Sequence, residues 1–141
     1  MQLTDDRISN QTGQQPDSTW IDELKACYAT TCGVLNELRA IGHEWKDVRE
    51  VVWEARDCPV WCGHDECSGT VRIDPSRHEA RALAHEMGHG FHERWRQRPD
   101  HHCCGESMAE AIRYFVEERM DSLGWKPSPD RLQVLDACQR D

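Results

Sequence analysis

The 141-residue chain reads as one small α+β domain. Three observations predict this. Apolar residues recur every three or four positions in the first third and again through the second half. Two short β-branched runs lie between those helical stretches. No internal repeat or low-complexity tract interrupts the order helix, strand, strand, helix, helix, helix.

The elements follow in chain order. Residues 1–18 are polar, with no apolar run, and read as a flexible tail; residues 19–141 hold the domain. The first helix carries Ile21, Leu24, Tyr28, Val34, Leu35 and Leu38 at helical spacing. Thr19 is its expected cap, with Asp22 three positions on, and Gly42 its end. Val48 to Ala55 is β-branched and aromatic, hence a strand. The next stretch, rich in Cys, Gly and Pro, breaks all periodicity. Thr70 to Asp74 alternates Val71 and Ile73 with polar neighbours, a half-buried strand. Ser76 and Glu79 make a capping box for a helix running to about Arg96, with Ala80, Ala84, Met87, Phe91 and Trp95 as its apolar stripe. A helix from the Glu106 region ends near Gly124, and a short last helix is capped by Asp130.

The net charge of −9 argues against a nucleic-acid partner, which needs a basic face. Arg94, Arg96 and Arg98 stand at a predicted helix end, where cations oppose the helix dipole. No run of about 18 apolar residues spans a membrane, and the first residues lack the apolar core of a secretory signal. The expectation is therefore a cytoplasmic chain. Eight cysteines in such a compartment are more often free, metal-bound or catalytic than bridged.

His85-Glu86-Met87-Gly88-His89 carries the chemistry. Residues four apart lie on one face of a helix, so both imidazoles can point at a single ion. Glu86, about 100° round the helix, can reach a water on that ion without binding the ion itself. Zinc would polarise a carbonyl and lower the pKa of the water, and Glu86 would take its proton as general base. The histidine stripe is offset from the apolar stripe, which favours ligation over simple surface exposure. A catalytic zinc needs a third protein ligand. His92 lies nearly two turns from His85 and would have to reach along the helix. Trp95 stands where the metzincin pattern requires histidine.

Glu106-Ser107-Met108-Ala109-Glu110 supplies the alternative, and here the chain resembles the gluzincin zinc metallopeptidases. Its E-x-x-A-E run is similar to the ligand helix of anthrax-lethal-factor-like and minigluzincin peptidases. The resemblance spans about Val71 to Met120. It implies a small zincin-like domain, with a short antiparallel sheet packed on an active-site helix and a following ligand-bearing helix. It implies Zn2+ held by His85, His89 and Glu106, peptide-bond hydrolysis by a zinc-bound water that Glu86 activates, and a peptide or protein substrate. Glu110 matches the acidic residue that orients a ligand histidine. Ser107 and Glu110 also read as a capping box, which leaves Glu110 open as an alternative ligand, along with His101, His102, Cys103 and Cys104. His101, His102, Arg113 and Tyr114 are candidate oxyanion donors, with core packing beside Phe115 the simpler role for Tyr114. The resemblance further implies that the strand Thr70 to Asp74 is an edge that pairs with extended substrate.

Cys58, Cys62 and Cys67 lie close together around His64 and allow a second, structural zinc, a disulfide or free thiols. Cys27, Cys32 and Cys138 read as small apolar residues. The rival function is a zinc-binding interaction or regulatory module without general peptidase activity.

Overall fold

The computed structural model describes residues 2–42, 45, 47–53, 63–65, 69–75, 79–96 and 106–126, with side chains given outside 63–65, 90–96 and 106–107. A 3-10 turn (Asp5–Arg7) leads into β1 (Ile8–Asn10), followed by α1 (Ser18–Ala40), β2 (Glu50–Trp53), β3 (Gly63–Asp65), β4 (Thr70–Ile73), α2 (Ala82–Arg96) and α3 (Glu106–Ser122). The predicted last helix, Cys138 within it, lies outside the described residues.

The α+β class holds, but the sheet is not the short antiparallel one expected. Its order is β1-β2-β4-β3. β1 and β4 both run parallel to β2, and only β3 runs antiparallel, beside β4. The reason is connectivity. A 23-residue helix joins β1 to β2, and a crossover of that kind returns the chain in the same direction. β1 and β3 are each three residues long and lack apolar alternation, so neither is visible in the sequence.

β1 also corrects the expected tail. Residues 2–17 are folded onto the domain: Leu3 is buried, and Ile8 to Asn10 pair with Val51 to Trp53. Arg7 fastens this segment. Its guanidinium donates to the Tyr28 hydroxyl at 3.1 Å and to the Val48 carbonyl. Tyr28 in turn donates to Asp47 at 2.8 Å. Burial is the main cause that pushes the Tyr28 phenol above its usual range.

α1 begins one position before the expected cap: the Asp17 carboxylate accepts from the Thr19 N–H at 2.9 Å. Its end matches the expectation, with Gly42 in the left-handed region at φ 103°. The two threonines in its middle satisfy their hydroxyls on the preceding turn, Thr30 on the Ala26 carbonyl at 2.8 Å and Thr31 on the Cys27 carbonyl at 2.7 Å. Cys27 and Cys32 are buried free thiols, as their positions on α1 suggested. Burial holds the Cys27 thiol up at about 11.

One core joins the sheet to all three helices. Val51, Trp53, Val71 and Ile73 meet Leu24, Tyr28 and Leu35 of α1, Leu83 and Met87 of α2, and Ile112, Val116 and Met120 of α3. Trp20 abuts Trp53 edge-on at 5.0 Å between ring centroids. Among the described residues, no helix is long and apolar enough to cross a membrane.

Candidate metal centre

α2 starts later than the Ser76 capping box suggested. Residues 76–78 lie outside the described set. The chain enters α2 through a tighter turn in which Ala82, Leu83 and Ala84 donate to the carbonyls three residues back, at 3.0–3.2 Å. Ala80, Ala84 and Met87 of the expected stripe are buried. His85 and His89 stand on a neighbouring face, half-buried.

The two imidazoles converge as the i, i+4 spacing requires. Their Nε2 atoms are 3.0 Å apart, and the rings meet nearly perpendicular at 82°. His85, Glu86 and His89 together offer three ligand atoms within 4.8 Å of one another, with Glu86 buried. Two Zn–N bonds of ordinary length at a tetrahedral angle put the nitrogens about 3.4 Å apart, so the pair fits a zinc ion after only a small adjustment.

The other side of His85 decides its tautomer. Its Nδ1 lies against the Glu110 carboxylate. A carboxylate there holds the proton on Nδ1 and leaves the Nε2 lone pair for a metal. Glu110 therefore stands where an orienting residue should. Glu106 is the first residue of α3, four positions before Glu110, so the helix does not begin at Ser107. The Glu106 side chain lies outside the described set, as do those of His92, His101, His102, Cys58, Cys62, Cys67, Cys103 and Cys104.

Two residues weighed as oxyanion donors are occupied elsewhere. Arg113 is buried and pairs with Glu117 and Glu79, both at 3.4 Å. Tyr114 is half-buried and donates to Glu118 at 2.8 Å. Its neighbour Phe115 is exposed, so the pair is not core packing. Thr70 to Ile73 is not an edge either, because β4 is flanked by β2 and β3. Among the described residues, β3 is the outermost strand on that side, and α2 packs against it.

Two features escaped the sequence reading. The first is Gly88. A Cβ on it would fall 2.8 Å from the Ala109 Cα and 3.2 Å from the Ala109 carbonyl oxygen. α2 and α3 thus approach backbone to backbone beside the His85–Glu110 pair. The signal was present as the glycine inside H-E-x-G-H, an unfavourable choice for a helix interior. Gly88→Ala should lower stability by about 1–3 kcal/mol through overpacking and weaken zinc binding. In an open helix the same change would stabilise by about 0.5–1 kcal/mol. A denaturant melt gives the sign, and a more stable variant would show that the helices are not in contact here.

The second is a buried ionic network. Arg81, 1% exposed, donates from Nε to Glu23 at 2.8 Å, and through its other nitrogens to Glu117 and to the Lys126 carbonyl. Glu117, 0% exposed, also takes Arg113. Burial works against the Arg81 charge, but Glu117 and Glu23 outweigh it and raise its pKa. Arg113 and Glu117 interrupt the buried face Ala109, Ile112, Val116 and Met120 of α3. That interruption was the legible hint.

No family model, curated protein or solved structure matches the chain.

Proposed function

We propose that the chain is a zinc-dependent metallopeptidase of the gluzincin type. The observation that carries this reading is the convergence of the His85 and His89 Nε2 atoms at 3.0 Å, with Glu86 beside them and Glu110 against the far nitrogen of His85. His85, His89 and Glu106 would hold the ion. When bound, zinc supplies a Lewis acid that polarises the scissile carbonyl and eases loss of a proton from water.

The chain's own residues do the rest. Glu86 accepts the proton of the attacking water and delivers it to the leaving amine. Glu110 holds the Nδ1 proton of His85 and keeps the ring turned toward the site. The substrate is a peptide in extended form. Its place is the outer side of β3, the outermost described strand beside α2, where strand addition supplies backbone hydrogen bonds.

The test is zinc stoichiometry together with cleavage of a quenched-peptide pool at neutral pH. The native chain should bind zinc, lose cleavage to a chelator and regain it when zinc is restored. His85→Ala and His89→Ala should each lose the catalytic zinc, and Glu110→Ala should cost about 10- to 100-fold in affinity. Glu106→Ala should cost more than Glu110→Ala; the reverse order would move the third ligand to Glu110. Full occupancy in the double histidine variant would sink the site, unless the Cys58, Cys62 and Cys67 cluster holds that metal. A zinc-loaded native chain that cleaves nothing would instead favour an interaction or regulatory module.

A further inference from the structure

Two contacts join α3 to α2, one on either side of His85. At one end Gly88 meets Ala109. At the other Arg81, just before α2, meets Glu117. The chain numbers rise along α2 as they fall along α3, so the helices run in opposite directions. His85 is four residues beyond Arg81 and three before Gly88. Glu110 is one residue beyond Ala109 and seven before Glu117.

Seven residues are about two turns and leave the two side chains only about 20° apart round the helix. Glu110 and Glu117 therefore share one face of α3, roughly 10.5 Å apart along the axis. His85 is in the first turn of α2 and Arg81 in the turn that leads into it, roughly 6–8 Å apart along the α2 axis. The long Arg81 side chain makes up the difference. When Glu117 holds Arg81, Glu110 reaches His85.

The apolar contacts do not demand this alignment. Ala109, Ile112, Val116 and Met120 are buried, and burial of apolar surface is non-directional. The Gly88–Ala109 contact sets a separation, not a register. A buried ion pair has one good geometry and loses much when misaligned. Glu117 is gripped from two sides, by Arg81 before α2 and by Arg113 on its own helix at 3.4 Å. Arg81 is itself braced by Glu23 of α1 at 2.8 Å.

We propose that Glu117 is a positioning residue for the metal centre, locking the register of α3 on α2 so that Glu110 meets the His85 Nδ1. It acts through Glu110 and does not touch the site. The inference rests on the reading of His85 and His89 as metal ligands.

The test separates register from stability. In the triple variant Arg81→Met, Arg113→Met and Glu117→Leu, the network becomes apolar side chains of similar reach. Such replacement is often neutral or stabilising when all partners go together. The side chains of Glu23 and Glu79 are 27% and 30% exposed, so water can take over the charges they are left with. Zinc affinity is measured by competition with a chelating dye, next to a thermal melt and the nitrogen NMR shifts of His85. The triple variant should melt cooperatively near the native temperature, bind zinc at least about 10-fold more weakly and lose the dominant Nδ1–H tautomer. Glu117→Gln keeps the shape and leaves Arg81 on Glu23 and Asp121. It should show the same tautomer change and a smaller affinity loss, and it decides the matter if the triple variant does not fold. A folded variant with native zinc affinity and native His85 shifts overturns the proposal. If His85→Ala binds zinc as the native chain does, the metal-site reading fails as well. If His85→Ala loses zinc while the Glu117 variants keep it, only the positioning role fails.

Discussion

Glu86→Gln is expected to lower peptide turnover by about 10²- to 10⁴-fold, the usual loss on removing a general base. The amide keeps the size and shape of the carboxylate but cannot take a proton from water. Glu86 is buried, 4% exposed, within 4.8 Å of the two imidazole ligand atoms. The loss should therefore fall on kcat, with KM nearly unchanged, because the peptide would bind along the sheet and not on Glu86. Zinc content should stay at the native level, since His85 and His89 are intact. Single-turnover cleavage of a quenched peptide, with metal analysis of the same sample, measures both. Undiminished cleavage would remove Glu86 from the mechanism and turn attention to Cys103 or Cys104 as a nucleophile. Loss of zinc along with activity would make Glu86 a ligand instead of a base.

Glu117→Ala is expected to cost about 3–5 kcal/mol of folding stability, the usual result of removing one partner from a buried ion pair. Arg81 and Arg113, 1% and 5% exposed, would each lose a carboxylate that water cannot replace. Arg81 would retain Glu23 at 2.8 Å, and Arg113 would retain Glu79 at 3.4 Å. Those remaining pairs place the expected loss toward the lower end of the range. A domain of this size has about 5–15 kcal/mol in all, so the variant should unfold at much lower urea. A loss below about 1 kcal/mol would mean that the network is solvated. The contrast with the apolar triple variant is physical: one leaves two buried guanidiniums each short of a carboxylate, the other removes both guanidiniums together with Glu117.

The sequence by itself determined the convergence of His85 and His89. An i, i+4 spacing on a helix is enough to bring two side chains to one point, with no information from elsewhere in the chain. His85, Glu86 and His89 meet as that spacing requires. The main helices, the strands β2 and β4, the left-handed Gly42 and the buried thiols of α1 were legible for the same reason. Each rests on a local pattern of apolar residues or on one residue's backbone preference.

What lies between elements was decided only in three dimensions. β1 and β3 owe their existence to hydrogen bonds with β2 and β4, not to apolar alternation of their own, so the sheet's mainly parallel order could not be read from the chain. Ser107 allowed two positions for the start of α3, and the two differ in what Glu110 can touch. Placing α3 against α2 settles that choice, because the Glu110 carboxylate then meets His85 in place of a helix cap. Arg113 looked like a site residue while its partners were unknown, and it proved to be held by Glu79 and Glu117. The role of Gly88 shows only in the fold, where the Ala109 backbone occupies the space a side chain would need. Pairing, register and close approach depend on residues distant in the chain, and no local spacing encodes which distant residue arrives.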